Sequence, residues 1–222
     1  MSLIKVSTEE EWHNLRGKVV TATEVSCILG LNKYKSAAKM WQEKNGKGEA
    51  FVGNSYTYIG QLLEPVVVKA VNYHLDREFE LFEVEGEKSF YTHDKLKMGA
   101  TPDAWDGKEL LECKTTKPHN AVRWSGFPNL QYLCQLYIQM MCMDISTGYL
   151  GTMSTDLTQK HTSLTFPLSV YILNRDEAID KLISEEVIRF WDTVNRDKAF
   201  RVNRKLSQKL KWLFLFNVTR VH

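Results

Sequence analysis

Between Gly99 and Lys114 the sequence places two carboxylates and a lysine at spacings that suit cation and phosphate chemistry. The stretch reads Gly99-Ala-Thr-Pro-Asp103, then Ala-Trp-Asp-Gly-Lys-Glu-Leu-Leu, then Glu112-Cys113-Lys114. Asp106-Gly107 is the strongest short hairpin signal in the chain. A two-residue turn there pairs Trp105 with Lys108, Ala104 with Glu109 and Asp103 with Leu110. Residues two apart on a strand share a face, so Asp103, Glu112 and Lys114 point to one side of the hairpin. Asp103 and Glu112 are then diagonal neighbours about 7–8 Å apart, close enough to converge on one cation. Hard oxygen ligands on rigid strands suit Mg²⁺, which takes one or two carboxylates plus water and substrate phosphate. Lys114 beside them would orient or deprotonate an attacking water, or steady charge on the phosphate. An exposed hairpin would carry the same three charges as a solvated salt-bridge cluster. Thr101-Pro102 before the aspartate, and apolar Leu110, Leu111 and Cys113 around the glutamate, favour a central strand instead.

The elements that must hold this segment follow from caps and periodicity. Ser7-Thr8-Glu9-Glu10 opens a short helix through Leu15, and Thr21-Ala22-Thr23-Glu24 opens a second that stops at Gly30. Ser36 caps a third, Ala37 to Asn45, before Gly46. A longer helix runs from about Thr57 to His74, with Pro65 in its first turn or at a kink. Strand patterning covers Glu78–Tyr91, Leu96–Ala104, Glu109–Thr116, Tyr149–Met153 and Ser163–Leu173. Leu130–Met143 and Asp176–Asn195 read as helices. In the latter, Ile179, Leu182, Ile183, Val187, Phe190, Trp191 and Val194 lie on or near one stripe. Helices, a strand cluster, a helix, more strands and a helix predict an α/β (α+β) sheet flanked by helices.

No repeat, low-complexity tract or linker divides the 222 residues, which are expected to form one domain with a basic and apolar C-terminal extension from about residue 196. The longest apolar run, Trp212 to Phe216, is far short of the ~20 residues of a membrane span. The acidic N-terminus does not read as a signal peptide. Cys27, Cys113, Cys134 and Cys142 show no CxxC pairing and sit in apolar stretches, as expected of reduced cytosolic thiols. A net charge of +2 does not announce a nucleic-acid binder. The charge is uneven, however: Arg196 to Lys211 holds seven Lys/Arg against Asp197. That cluster suits either DNA phosphates or a solvated tail, and the apolar run beside it either the domain or a neighbouring subunit.

Pro102-Asp103, eight intervening residues and Glu112-Cys113-Lys114 resemble the PD-(D/E)xK nuclease pattern. Gly60-Gln61-Leu62-Leu63-Glu64-Pro65 is similar to the Gly-x-x-x-Glu helix of the lambda-exonuclease, or YqaJ-like viral recombinase, branch of that superfamily. Tyr132-x-x-Gln135-x-Tyr137-x-x-Met140 resembles its Tyr-x-x-Gln helix. Arg16-Gly-Lys-Val-Val-Thr21-Ala-Thr23-Glu24 resembles its Arg…(Thr/Gly)-(Ala/Gly)-Ser segment, with Thr23 in place of serine. Gly30-Leu-Asn-Lys-Tyr34-Lys-Ser36 and Trp41-x-Glu-Lys-x-Gly46 also fit. The matches run in order over roughly residues 10 to 195.

The resemblance implies a restriction-endonuclease-like mixed central sheet flanked by helices, and an Mg²⁺-dependent deoxyribonuclease. It would degrade double-stranded DNA 5′→3′ from an end to mononucleotides, leaving 3′ single strands for phage-type recombination. Two Mg²⁺ ions, replaceable by Mn²⁺, would be held by Asp103, Glu112 and the main-chain carbonyl of Cys113, with Glu64 toward the second. Lys114 would position or activate water, and Gln135 would join the site. Gln131, Gln135 and Gln139 recur every four residues and equally suit the wet stripe of an amphipathic helix. Asp94 is either a further acid or an ordinary turn aspartate. Arg16, Thr23 at a helix start and Thr101 would grip a terminal 5′-phosphate. Relatives complete that pocket with an arginine shortly after the lysine, where this chain has Lys117 and, somewhat late, Arg123. The resemblance further implies a homotrimeric ring, a single-strand annealing partner and a phage- or prophage-encoded protein in the bacterial cytoplasm, with no membrane association. A structure-selective or restriction-like endonuclease and a catalytically inactive DNA-binding module are the rival readings.

Overall fold

A computed structural model of the chain describes residues 2–48, 54–82, 88–124, 126–154 and 168–221. Strand β1 (Ser2–Val6) leads into helix α1 (Glu9–Gly17), capped by the Thr8 side chain, and then into β2 (Val20–Thr21). Three helices follow: α2 (Val25–Ile28), α3 (Ala37–Lys44) and α4 (Ser55–Leu75). The middle of the chain holds β3 (Glu80–Leu81), β4 (Lys88–Thr92), β5 (Met98–Ala100), β6 (Ala104–Trp105) and β7 (Leu110–Thr116). Helices α5 (Pro118–Trp124) and α6 (Leu130–Met143), strands β8 (Thr147–Ser154) and β9 (Leu168–Asn174), α7 (Glu177–Asn195), α8 (Arg204–Asn217) and β10 (Val218–Val221) complete it.

The expected mixed α/β architecture is present, but the strands form two sheets. One runs β1-β4-β5-β2 and the other β10-β9-β8-β7-β6-β3. In the larger sheet β7 and β8 are parallel, joined through α5 and α6, and the remaining pairs are antiparallel. The chain crosses from β5 in one sheet to β6 in the other at Thr101-Pro102-Asp103. A proline without an N–H suits that break in the ladder.

Two glycines let helices close on both faces of the larger sheet. A Cβ at Gly148 would come 2.8 Å from Leu136 of α6, and one at Gly151 would come 2.8 Å from Val71 of α4. Gly148 and Gly151 differ in parity, so α6 and α4 lie on opposite faces. Leu110 pairs with Gly148 in register and joins the α6-side core, whereas Leu111 and Cys113 join the α4-side core with Val67 and Val71. Strand β7 is therefore central and covered on both sides.

The hairpin register differs from a two-residue turn. Ala104 pairs with Leu111 and Trp105 with Leu110, so Asp106–Glu109 form a longer loop. The Asp106 carboxylate accepts from the Lys108 and Glu109 N–H groups at 3.0 and 2.8 Å, and Arg77 bonds both Asp106 and Glu109. This side-chain turn takes over from the type I′ geometry that Asp-Gly suggests. The shift is by two residues, which preserves every face and moves Asp103 from diagonal to directly opposite Glu112.

Other boundaries also move. Thr21 belongs to β2, paired with Gly99, so the second predicted helix shrinks to α2, and Thr23 lies before its first turn. The Thr21–Glu24 box still closes: the Glu24 carboxylate accepts from the Thr21 N–H at 3.1 Å and the Thr21 hydroxyl at 2.9 Å. Pro65 falls in the interior of α4, which starts earlier than expected because Asn54 caps it. Val84 of the predicted Glu78–Tyr91 strand and the 163–167 part of the predicted Ser163–Leu173 strand lie outside the described residues. The C-terminal extension folds back: Leu206, Leu210 and Phe214 of α8 are buried, and β10 pairs with β9. All four cysteines are buried and free. Among the described residues no helix is long and apolar enough to cross a membrane.

Candidate active site

Glu112 is the centre of the cluster. It is 0% exposed, on the α6 face of β7, and every donor that meets it comes from that face. Its Oε1 accepts from Gln135 Nε2 at 2.5 Å and from the Lys114 ammonium, and its Oε2 accepts from Gln139 Nε2 at 2.5 Å. Such saturation is what keeps a carboxylate tolerable in a core. Gln139 Nε2 also reaches the Thr101 carbonyl at 3.2 Å, tying Glu112 to the turn that carries Asp103. The Asp103 carboxylate accepts from the Cys113 N–H at 2.7 Å, which fixes it across the hairpin.

The electrostatics follow from that crowding. Burial, then the neighbouring charges of Glu112 and Glu64, push the Asp103 carboxyl well above its ordinary range. Glu64, on α4, is thus placed near Asp103 from the other side of the sheet. For Lys114, burial disfavours the ammonium, but Glu112 and Asp103 outweigh it and raise the pKa. The raised pKa reflects the pairing of Lys114 with those two carboxylates. Its ammonium also sits 5.5 Å from the centre of the Tyr132 ring.

The sequence points to Gln135 and does not single out Gln139. The four-residue repeat was present, but an amphipathic reading assumes that one stripe of α6 meets water. Because α6 packs against both sheets and α2, Leu133 to Met143 are all buried, and both glutamines point at Glu112. Asp94 is not part of the cluster; it accepts from the Ser2 hydroxyl at 3.0 Å, at the end of β1.

The residues expected at a terminal phosphate are only partly gathered. Arg16 donates to the Thr23 hydroxyl at 3.3 Å and stacks 4.3 Å above Trp12. Behind it, Lys44 donates to Glu24 at 2.8 Å and to the Arg16 carbonyl at 2.7 Å, and Lys35 pairs with Glu24 at 3.1 Å. Burial disfavours the Glu24 carboxylate, yet Lys44 and Lys35 hold its pKa at about 2. Thr101 donates its hydroxyl proton to the Ser89 carbonyl at 2.9 Å. Lys117 lies over Tyr56, and Arg123 is an exposed residue of α5 beside Tyr132, not beside Arg16.

Two facing carboxylates, a charged lysine and two amides around one buried acid prompt comparison with known proteins. The profile of the YqaJ-like viral recombinase domain matches residues 11–150, a span that includes Arg16, Glu64, Asp103, Glu112, Lys114, Gln135 and Gln139. The chain belongs to that family. Uncharacterized protein YqaJ of Bacillus subtilis (strain 168) is 25% identical over 202 residues, covering 83% of this chain and 56% of that protein. The chain thus spans little more than half of its curated relative. Among solved structures, an alkaline exonuclease (LHK-Exo) from Laribacter hongkongensis superposes with a TM-score of 0.61 at 21% identity, covering 92% of this chain and 95% of that one. A phage-related exonuclease from Haemophilus somnus 129PT gives 0.59 at 15% identity, over 84% and 99%. These likenesses establish the restriction-endonuclease-like fold for the YqaJ-family chain.

Proposed function

We propose that this YqaJ-family protein is a metal-dependent deoxyribonuclease that degrades double-stranded DNA from an end, 5′→3′, to mononucleotides. The observation that carries the reading is the buried convergence of Asp103, Glu112 and Lys114, with Glu64 close by. The three acids outnumber the one lysine, and burial together with the charges of Glu112 and Glu64 pushes the Asp103 carboxyl up. A divalent cation answers that imbalance. Paired hard oxygen ligands suit Mg²⁺, which keeps waters and needs only one or two carboxylates. Asp103 and Glu112 would hold it with the Cys113 main-chain carbonyl, and Glu64 would face a second ion. Bound there, the metal would supply Lewis-acid stabilisation of the phosphate charge.

The chain's own residues do the rest. Gln135 and Gln139 keep the Glu112 carboxylate oriented, Lys114 orients the water or meets the developing charge, and Arg16 with Thr23 grips a terminal phosphate. An exonuclease of the same fold has been crystallised with dAMP, which accords with a mononucleotide product here. In this reading the protein works as a homotrimeric ring with a single-strand annealing partner, leaving 3′ single strands for recombination in a phage-infected or lysogenic bacterial cytoplasm.

The test is digestion of end-labelled linear duplex with and without Mg²⁺, using 5′-phosphorylated ends, 5′-hydroxyl ends and a covalently closed circle. Metal-dependent loss of linear DNA, faster from 5′-phosphorylated ends, with the circle intact, is expected. Cutting of the circle would favour an endonuclease, and no cutting at all an inactive binding module.

A further inference from the structure

The segments Gly30–Ser36 and Trp41–Gly46 have no role in the chemistry proposed above, yet the fold gathers three of their charged side chains behind Arg16. Lys35 and, from α3, Glu43 and Lys44 form a chain of ion pairs with Glu24 there. Side-chain exposure is only 4% for Lys44, 12% for Glu43, 14% for Glu24 and 20% for Lys35. Ion pairs buried to this degree add little stability over apolar packing, because desolvation offsets their attraction. Their geometry converges instead on one neighbour.

Arg16 is tied to Glu24 by two routes. Lys44 Nζ donates to the Glu24 carboxylate at 2.8 Å and to the Arg16 carbonyl at 2.7 Å, which pins the last turn of α1 to α3. The second route runs through hydroxyls. Glu24 Oε2 accepts from the Thr21 hydroxyl at 2.9 Å, the Thr21 and Thr23 hydroxyls lie 3.1 Å apart, and Thr23 Oγ1 accepts from Arg16 at 3.3 Å. Each hydroxyl has one proton, the ionised carboxylate can only accept and the guanidinium can only donate. Donation therefore runs one way, from Arg16 to Thr23 to Thr21 to Glu24. Trp12 closes the arrangement, its ring centre 4.3 Å from the guanidinium carbon. Two acids and two lysines balance, so Arg16 is the surplus cation of the cluster. Thr23 takes one of its side-chain N–H groups, and the others meet no acceptor among the described residues. Glu9, the other acid that acts on Arg16, is exposed on α1.

We infer that Glu24 and Lys44 are positioning residues for Arg16: Lys44 fixes its main chain, and Glu24, through Thr21 and Thr23, fixes its guanidinium with the remaining N–H groups presented to an anion. In this arrangement the Thr23 hydroxyl acts by holding Arg16, since its own proton is committed to Thr21. An arginine set in advance loses less freedom on meeting an anion than one on a free stem. That the anion is a terminal 5′-phosphate rests on the nuclease reading; the orientation of Arg16 does not.

The experiment compares the full chain as wild type, E24Q, K44M and T21V by two readouts. T21V removes only the hydroxyl link, in a strand where valine fits, so it decides the matter if a charge substitution fails to fold. The first readout is the Arg16 Nε–Hε resonance, identified by its absence in R16A and shifted in wild type by the Trp12 ring. It should move to the position of an exposed arginine in each variant. The second is fluorescence-anisotropy binding, in EDTA, of duplex with 5′-phosphate or 5′-hydroxyl ends. The wild-type preference for phosphate should fall about three-fold or more in each variant, the scale of one hydrogen bond. In an R16A background E24Q should lower it no further, because both substitutions act through one contact. A general loss of stability would weaken binding of both ends alike and leave the ratio. An unmoved Arg16 resonance, or a wild-type phosphate preference that survives in the folded variants, would overturn the inference. A resonance that moves as expected while wild type shows no preference for phosphate defeats only the terminal-phosphate reading.

Discussion

Replacing Gln139 by leucine removes one buried amide and keeps most of its volume. Gln139 supplies the 2.5 Å hydrogen bond to Glu112 Oε2, and through the Thr101 carbonyl it joins the glutamate to the Asp103 turn. A hydrogen bond to a charged group is worth about 1.5–3 kcal/mol, and removing the donor leaves a buried carboxylate oxygen unpaired. At 1.36 kcal/mol per tenfold, that corresponds to roughly ten- to a hundred-fold. The same range is typical when a side chain supporting a metal ligand is lost. Gln139→Leu should therefore lower the apparent Mg²⁺ affinity or the saturated rate of end digestion by that factor, while the melting temperature falls by only several degrees. The assay is an Mg²⁺ titration of duplex digestion, with Ca²⁺ binding followed calorimetrically as an activity-independent readout. Gln139→Glu, which places a second acid against Glu112, should be worse than leucine. Rates and Ca²⁺ affinity within two- to three-fold of wild type for Gln139→Leu would refute the idea that this amide orients Glu112.

Three further outcomes follow from the same structure. Lys114→Ala should lower turnover at saturating Mg²⁺ without a matching loss of DNA affinity, because its contribution appears in the transition state; full rescue by added Mg²⁺ would exclude that role. Arg16→Ala should shrink the ratio of rates on 5′-phosphorylated and 5′-hydroxyl duplex by roughly ten-fold while slow cleavage persists, and an unchanged ratio would make Arg16 structural. The Glu24 pKa is about 2 when folded against 4.5 ordinarily, so its contribution of at most about 3 kcal/mol is complete above pH 4.5 and fades as pH falls toward 2. Wild type and Glu24→Gln should accordingly differ most in urea midpoint near pH 6 and converge near pH 2.5, and a gap that widens on acidification would contradict the pairing with Lys44 and Lys35.

Periodicity made most long elements legible, though not α8 (Arg204–Asn217), which reads from the sequence only as a basic and apolar extension. Leu130–Met143 was delimited to the residue, and the Asp176–Asn195 stripe places Ile179, Ile183, Val187 and Phe190 in the core. Short elements were not legible: β1, β2, α5 and β10 take their stability from partners distant in sequence, as Ser2–Val6 does from Lys88–Thr92. The hairpin shows how a wrong detail leaves a right inference. Arg77 and the Asp106 side chain lengthened the turn, but a two-residue slip preserves the face of every side chain, so Asp103, Glu112 and Lys114 still converge. Gln139 was hidden for the opposite reason, because local sequence marks a polar stripe but not what covers it. The Thr21-x-x-Glu24 signature formed its hydrogen bonds without its long helix, since pairing with Gly99 held Thr21 in a strand.

The central claim is that Glu112 organises a metal-dependent end-digesting site, and one measurement addresses it most directly. Release of acid-soluble mononucleotide from uniformly labelled, 5′-phosphorylated linear duplex is followed with Mg²⁺ for wild type and Glu112→Ala, alongside their melting curves. The account predicts steady mononucleotide release by wild type, none in EDTA, and near-complete loss in Glu112→Ala while a cooperative folding transition remains. Release by folded Glu112→Ala within a few-fold of wild type would contradict it.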